Sequence, residues 1–208
     1  MADIFDIAFT NLLGWEGGYG YNAKDPGGPT KYGVIQTEYD ASRRKKGLPP
    51  QSVANITIPE AEEIYRIEYW DAIRCGELNP GVADATFDAD VNSGDRRAVT
   101  WLQEAINQVS GKPGIAVDGS CGPITVANAN ASDPAKLIDA MLSLRLAFMH
   151  VARNPKTGAL LWPTFGHGWQ SRINGVRVQA HKLADAEPAS APIPSPATVT
   201  TTKEGPSQ

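Results

Sequence analysis

The sequence predicts a mainly α-helical globule, interrupted after its first helix by a short β-hairpin or irregular loop. Three observations predict it. Apolar residues recur at three- and four-residue spacing along most of the chain. Helix-start signals stand before several of these stretches: Asp3, Thr57-Ile58-Pro59-Glu60 and Asp133-Pro134. Finally, Gly17, Gly18, Gly20, Gly27, Gly28 and Gly33 crowd one segment, interleaved with Tyr19, Tyr21 and Tyr32, and no helix survives that density of glycine.

Taken in order, residues 4–15 place Ile4, Phe5, Ala8, Phe9 and Leu12 on one helical face, with Asp3 as cap. After the glycine-rich stretch, a helix is expected from about Thr37. It closes on Arg43, Arg44, Lys45 and Lys46 before Gly47, the arrangement that suits a helix C-terminus. That basic run reads as a solvated helix end, or as a contact for an anionic polymer. Thr57 to Glu60 forms a capping box ahead of Ala61, Ile64, Tyr65 and Tyr69. From about Asp95, the residues Ala98, Trp101, Leu102, Ala105, Ile106 and Val109 form a clear helical stripe. Asp133-Pro134 opens a long helix with Leu137, Ile138, Met141, Leu142, Leu144, Phe148 and Met149. A last helix is expected from Gly168 to about Ala184. From Ala186 onward, prolines alternate with Ala, Ser and Thr, so residues 186–208 are expected to be a disordered tail.

Composition narrows the function classes. With 208 residues, 41% of them hydrophobic, the chain can bury one sizeable core. A formal net charge of −4 gives no global field for nucleic acid, which is not an expected partner. No apolar run approaches the ~20 residues that span a bilayer. The opening Met-Ala-Asp-Ile-Phe-Asp lacks a basic, then apolar, export signal. Cys75 and Cys121 offer neither a disulfide framework nor metal-ligand spacing. A soluble monomer made in a reducing compartment is the expectation, with no cofactor and no metal.

Glu16 stands out before any family is considered. It follows Leu12 by four residues and Phe9 by seven, on the apolar face at the C-terminal end of the first helix. Burial and the negative end of the helix dipole both favour the protonated carboxyl, which is what a general acid requires. The other reading is a side chain fraying into solvent. Eight residues separate it from Asp25, and four separate Asp25 from Thr30. An acid, a second carboxylate and a hydroxyl make the inventory for glycosidic cleavage by water. Asp25-Pro26-Gly27-Gly28 also encodes an ordinary turn.

At these residues the chain resembles glycoside hydrolase family 108. The match rests on Glu16-Gly17-Gly18-Tyr19 and on Asp25-Pro26-Gly27-Gly28-Pro29-Thr30-Lys31-Tyr32-Gly33-Val34. It continues through Tyr69-Trp70-Asp71, Asp90-Val91-Asn92-Ser93-Gly94, Asp118-Gly119 with Gly122-Pro123-Ile124-Thr125, and Phe165-Gly166-His167-Gly168-Trp169 with Arg172. The resemblance implies a lysozyme-like α+β fold and N-acetylmuramidase activity on the glycan strands of peptidoglycan. It implies Glu16 as the essential acid, with Asp25 and Thr30 at the attacking water; read as residues alone, Asp88 or Asp90 is an alternative to Asp25. Tyr19, Tyr32, Asn92 and Trp70 match motif positions expected to contact substrate. The family divides into a catalytic segment, here 1–89, and a peptidoglycan-binding segment, here 90–178, expected to pack into the same globule. The missing export signal matches an endolysin made in a host cytoplasm and acting on the wall after release. One departure is Ile35 where the family has Thr, which leaves the next helix to be capped by another residue such as Thr37.

Two rivals stand beside this expectation: a lytic transglycosylase giving 1,6-anhydro products, and a wall-binding module without activity. His150, His167 and His181 are too scattered for a local metal site, though His167 is a candidate for the cleft. Asp118-Gly119 with Gly122-Pro123 reads as a fold-defining turn or as a ligand contact.

Overall fold

The computed structural model describes residues 3–16, 30–111 and 114–186, and for Trp15 and Glu16 the backbone only. The 186–208 tail expectation therefore lies, apart from Ala186, outside the described residues. Among the described residues there are eight α-helices and one two-stranded antiparallel sheet. No described helix is long and apolar enough to cross a membrane.

Helix α1 (Ile4–Glu16) buries Phe5, Ala8, Phe9 and Leu12, the face that periodicity selected. Strands β1 (Thr30–Lys31) and β2 (Val34–Ile35) pair Thr30 with Ile35 and Lys31 with Val34. Their connection is Tyr32-Gly33, both at positive φ (54° and 79°), as a two-residue type I′ turn requires. Helix α2 (Gln36–Lys45) begins one residue before Thr37. Ile35 occupies the cap position, and its N–H donates to Glu38 Oε2 at 3.3 Å. Thr37 sits in the first turn instead, because the carboxylate three residues past the cap supplies the missing acceptor.

Helix α3 (Ile58–Tyr65) opens on the expected capping box. The Thr57 N–H donates to Glu60 Oε2 at 2.9 Å, and the Glu60 N–H donates to Thr57 Oγ1 at 3.4 Å. The helix continues as a wider π turn from Arg66 to Trp70. Helix α4 (Pro80–Ser93) was not visible in the hydrophobic pattern, and the reason is its position. Every residue from Gly81 to Asp90 is buried, so no polar face alternates with an apolar one. It packs against α1, α5 (Asp95–Ser110), α7 (Pro134–Val151) and α8 (Trp162–Ala184). A Cβ on Gly81 would lie 2.1 Å from the Ala180 carbonyl oxygen and 2.8 Å from Ala184 Cβ, so only glycine permits the α4–α8 approach.

The remaining helix, α6 (Pro123–Ala131), follows the loop that carries Asp118-Gly119. Gln103, 1% exposed on α5, organises that loop. Its Nε2 donates to Asp118 Oδ1 (2.9 Å), the Ser120 carbonyl (3.1 Å) and Thr125 Oγ1 (3.2 Å), while its Oε1 accepts from the Gly119 N–H (2.9 Å). The motif is thus spent on fixing the turn. Helix α7 has the Asp133 cap, accepting from the Lys136 N–H at 3.1 Å. Helix α8 starts six residues before the expected Gly168, with Pro163 in its first turn.

One hydrophobic core takes residues from both halves of the chain, from Phe5 to Ala180. Its aromatic centre is Phe5, Phe9, Tyr65, Trp70 and Phe87. Trp70 meets Phe5 and Phe87 edge-on with centroids 5.5 Å from each. Trp70 is 2% exposed. The expected substrate contact by its indole is therefore corrected: the ring is a core element, surrounded by other rings.

Candidate active site

The first helix carries Glu16 as its last residue, one turn beyond buried Leu12. Its side chain, Tyr19 and Asp25 lie outside the described residues. Thr30 and Tyr32 belong to the β1–β2 hairpin, and both are half-buried. Asn92 is exposed on the last turn of α4.

Tyr32 is held in a conformation that L-residues other than Asn and Asp rarely adopt. Its carbonyl accepts from Tyr65 Oη at 3.1 Å, and Lys31 Nζ lies 5.1 Å from its ring centroid. Lys31 in turn donates to the Ala54 carbonyl at 3.0 Å. Behind the hairpin, Tyr69 Oη donates to Glu38 Oε1 at 2.8 Å. Burial, then the neighbouring Glu38 carboxylate, keeps the Tyr69 phenol protonated far above its usual range. Glu38 therefore ties β2, α2 and the π turn together, and the strained tyrosine rests on a fixed base.

Helix α4 presents three buried carboxylates with different charge states. Asp88 accepts from Arg145 Nη1 at 2.6 Å and Arg172 Nε at 3.0 Å. Burial alone raises its pKa, but the two guanidiniums override that and hold it below the ordinary carboxylate value. Asp88 is thus committed as a permanent anion in an ion-pair network. Asp84 is pushed up to about 7, by burial first and then by the Asp88 charge, with the Asn11 amide offsetting part. It lines a cavity of about 360 Å³ between α1, α4 and α8. Asp90 is also pushed up to about 7, by burial and then by Asp95, and its Oδ2 has no hydrogen-bond partner among the described residues. Of the two alternatives to Asp25, Asp90 has the properties of a proton carrier and Asp88 does not.

Arg145 was not singled out in the sequence, yet a signal was present. It falls four residues after Met141 and four before Met149, on the apolar face of α7, and it is fully buried. A cation on such a face needs a buried anion. Burial pushes the Cys75 thiol well above its usual value, and Cys121 upward as well, so neither is a ready nucleophile. His167 is exposed on α8. No grouping of metal-ligating side chains occurs among the described residues.

Comparison with known proteins adds to this geometry. Residues 9–94 match the family model Glycosyl hydrolase 108, and residues 97–174 match a Predicted Peptidoglycan domain. Among solved structures, that of Brucella abortus SagA is similar, with a TM-score of 0.70 at 31% identity over 88% of this chain and 97% of that one. No curated protein matches. The fold and these matches together define a mainly α, lysozyme-like glycoside hydrolase directed at peptidoglycan. The chain belongs to glycoside hydrolase family 108, with the family's peptidoglycan-binding segment following the hydrolase segment.

Proposed function

We propose that the chain is an N-acetylmuramidase that hydrolyses the β-1,4 bond between N-acetylmuramic acid and N-acetylglucosamine, with Glu16 protonating the leaving oxygen. The observation that carries this reading is the position of Glu16 inside the matched hydrolase segment. It ends α1 on the register of Leu12, at the negative end of the helix dipole, which disfavours an anion. Asp25 orients or deprotonates the water, and Thr30 on β1 holds it. Tyr32 and Asn92 contact the sugars, Tyr32 from a turn whose backbone strain is consistent with a functional position.

Glu16→Gln tests the acid. Release of reducing ends from purified wall should fall by about a thousandfold, within the range a general acid supplies. The circular dichroism and melting temperature should be unchanged. Near-normal turnover by that variant removes Glu16 from the mechanism. Asp25→Asn and Asp90→Asn, run alongside, identify the second carboxylate by which of them stops the reaction. Mass spectrometry separates hydrolase from transglycosylase, because a hydrolysed muropeptide is one water heavier than its 1,6-anhydro counterpart.

A further inference from the structure

A groove of about 540 Å³ lies between the end of α4, where Asn92 and Ser93 line it, the start of α5, the end of α7 and α8. Its floor is apolar, with Phe148 on α7 and Trp169 on α8, and Leu161 at one wall. Arg97 and Arg153 line it, and no Asp or Glu does. Both guanidiniums are held in place without a carboxylate partner among the described residues. Arg97 lies over the Phe148 ring, 4.2 Å from its centroid. Arg153 donates from Nη1 to the Gly158 carbonyl at 2.9 Å, within a small turn closed by its bridge to Leu160. Phe165, 49% exposed, stacks on Trp169 at 5.7 Å and extends the apolar floor toward solvent.

An apolar floor under two preorganised cations suits a ligand that is both aliphatic and anionic. Peptidoglycan offers two chemistries, uncharged amino sugars and peptide stems bearing free carboxylates. Asn92, already given to the sugars, lines the α4 end of the groove, and beyond it the groove offers two cations and no carboxylate to accept from further sugar hydroxyls. The stem supplies alanyl methyls for the floor and carboxylates for the guanidiniums. We propose that this groove binds the carboxylate-bearing peptide stem of peptidoglycan, with Arg97 and Arg153 as its anion contacts and Phe148 and Trp169 as its apolar seat. The proposal rests on peptidoglycan being the polymer recognised, and not on Glu16 as the acid.

The test uses the free tetrapeptide stem, L-Ala-γ-D-Glu-diaminopimelyl-D-Ala, which contains no glycosidic bond, so its binding reads the groove independently of catalysis. Titration into the full chain should shift the Trp169 indole resonance, and affinity should fall with added salt. Arg97→Gln and Arg153→Gln should each weaken binding by about tenfold, the scale of one charge-assisted contact. The same peptide with its carboxylates amidated should bind as weakly as the variants bind the native stem. Arg153 is exposed on a surface turn, so its variant keeps the test sound if Arg97→Gln unfolds. Equal binding of native and amidated stems overturns the proposal. So does unchanged affinity in folded variants, or a shift of Trp169 by an N-acetylglucosamine trimer and not by the stem. Loss of turnover in Glu16→Gln with stem binding intact leaves both readings standing; intact turnover with stem binding intact removes only the acid assignment.

Discussion

At the scale of single residues, the three aspartates of α4 show how position overrides chemical identity. Asp88 meets two guanidiniums and is ionised; Asp84, four residues earlier and 4% exposed, meets an amide and a neighbouring charge and titrates near 7. The sign of the linkage follows. A carboxyl whose folded pKa lies above its unfolded value contributes stability that is complete below the unfolded pKa. That contribution is lost as pH rises through the folded value. For Asp84 the window runs from about pH 4 to about pH 7, and the loss is of order 4 kcal/mol at most. Asp84→Asn should therefore raise the melting temperature at pH 8 and leave it unchanged or lower at pH 4. Equal shifts at the two pH values would show that Asp84 is ionised throughout. Asp88 contributes with the opposite sign, its stabilisation being lost as pH falls through its depressed pKa.

At the scale of elements, the β1–β2 hairpin sets conformation against function. Its turn asks for two residues at positive φ, and Asn-Gly is the pair that meets this at least cost. The chain has Tyr32-Gly33 instead, at a cost of roughly 1–2 kcal/mol for the tyrosine. Tyr32→Asn should hold stability within about 1 kcal/mol, because relieved strain offsets the lost ring packing. Wall hydrolysis should fall. Full activity in that variant would remove Tyr32 from the substrate contacts.

The helices also differ in how legible they are. Helices α1, α5 and α7 each bury one face, so the 3.6-residue period announces them, and α3 and α7 add their caps. Helix α4 is enclosed on every side, so nothing in its alternation separates it from a loop. Glu16, Asp25 and Thr30 stand out as candidates because acid, carboxylate and hydroxyl lie close together in the chain. Arg145 with Asp88 does not, because the partners are 57 residues apart and only α4–α7 packing joins them. Trp70 was misread for a related reason. An aromatic residue inside a motif looks the same whether it faces a sugar or Phe87.

At the scale of the whole molecule, the hydrolase segment ends at residue 94 and the peptidoglycan segment begins at 97, yet the packing ignores that division. Helix α4 belongs to the first segment, while α5, α7 and α8, which cover most of it, belong wholly or largely to the second. A fragment of residues 1–94 exposes the surface that those helices cover, leaving Asp88 without either guanidinium. It should show no cooperative thermal transition, whereas the full chain should show one. A fragment that melts cooperatively near the full chain's temperature would mean that the two segments fold independently.

The missing side chain at Gly81 carries this further. With the Ala180 carbonyl 2.1 Å from where a methyl would stand, the crossing of α4 with the end of α8, just past the matched peptidoglycan segment, is a lock cut for one key. Chimeras that trade one family member's second segment for another's must bring a matching α8, or the graft will not close. Grafted combinations should therefore sort by backbone fit at this crossing before sugar chemistry has any say.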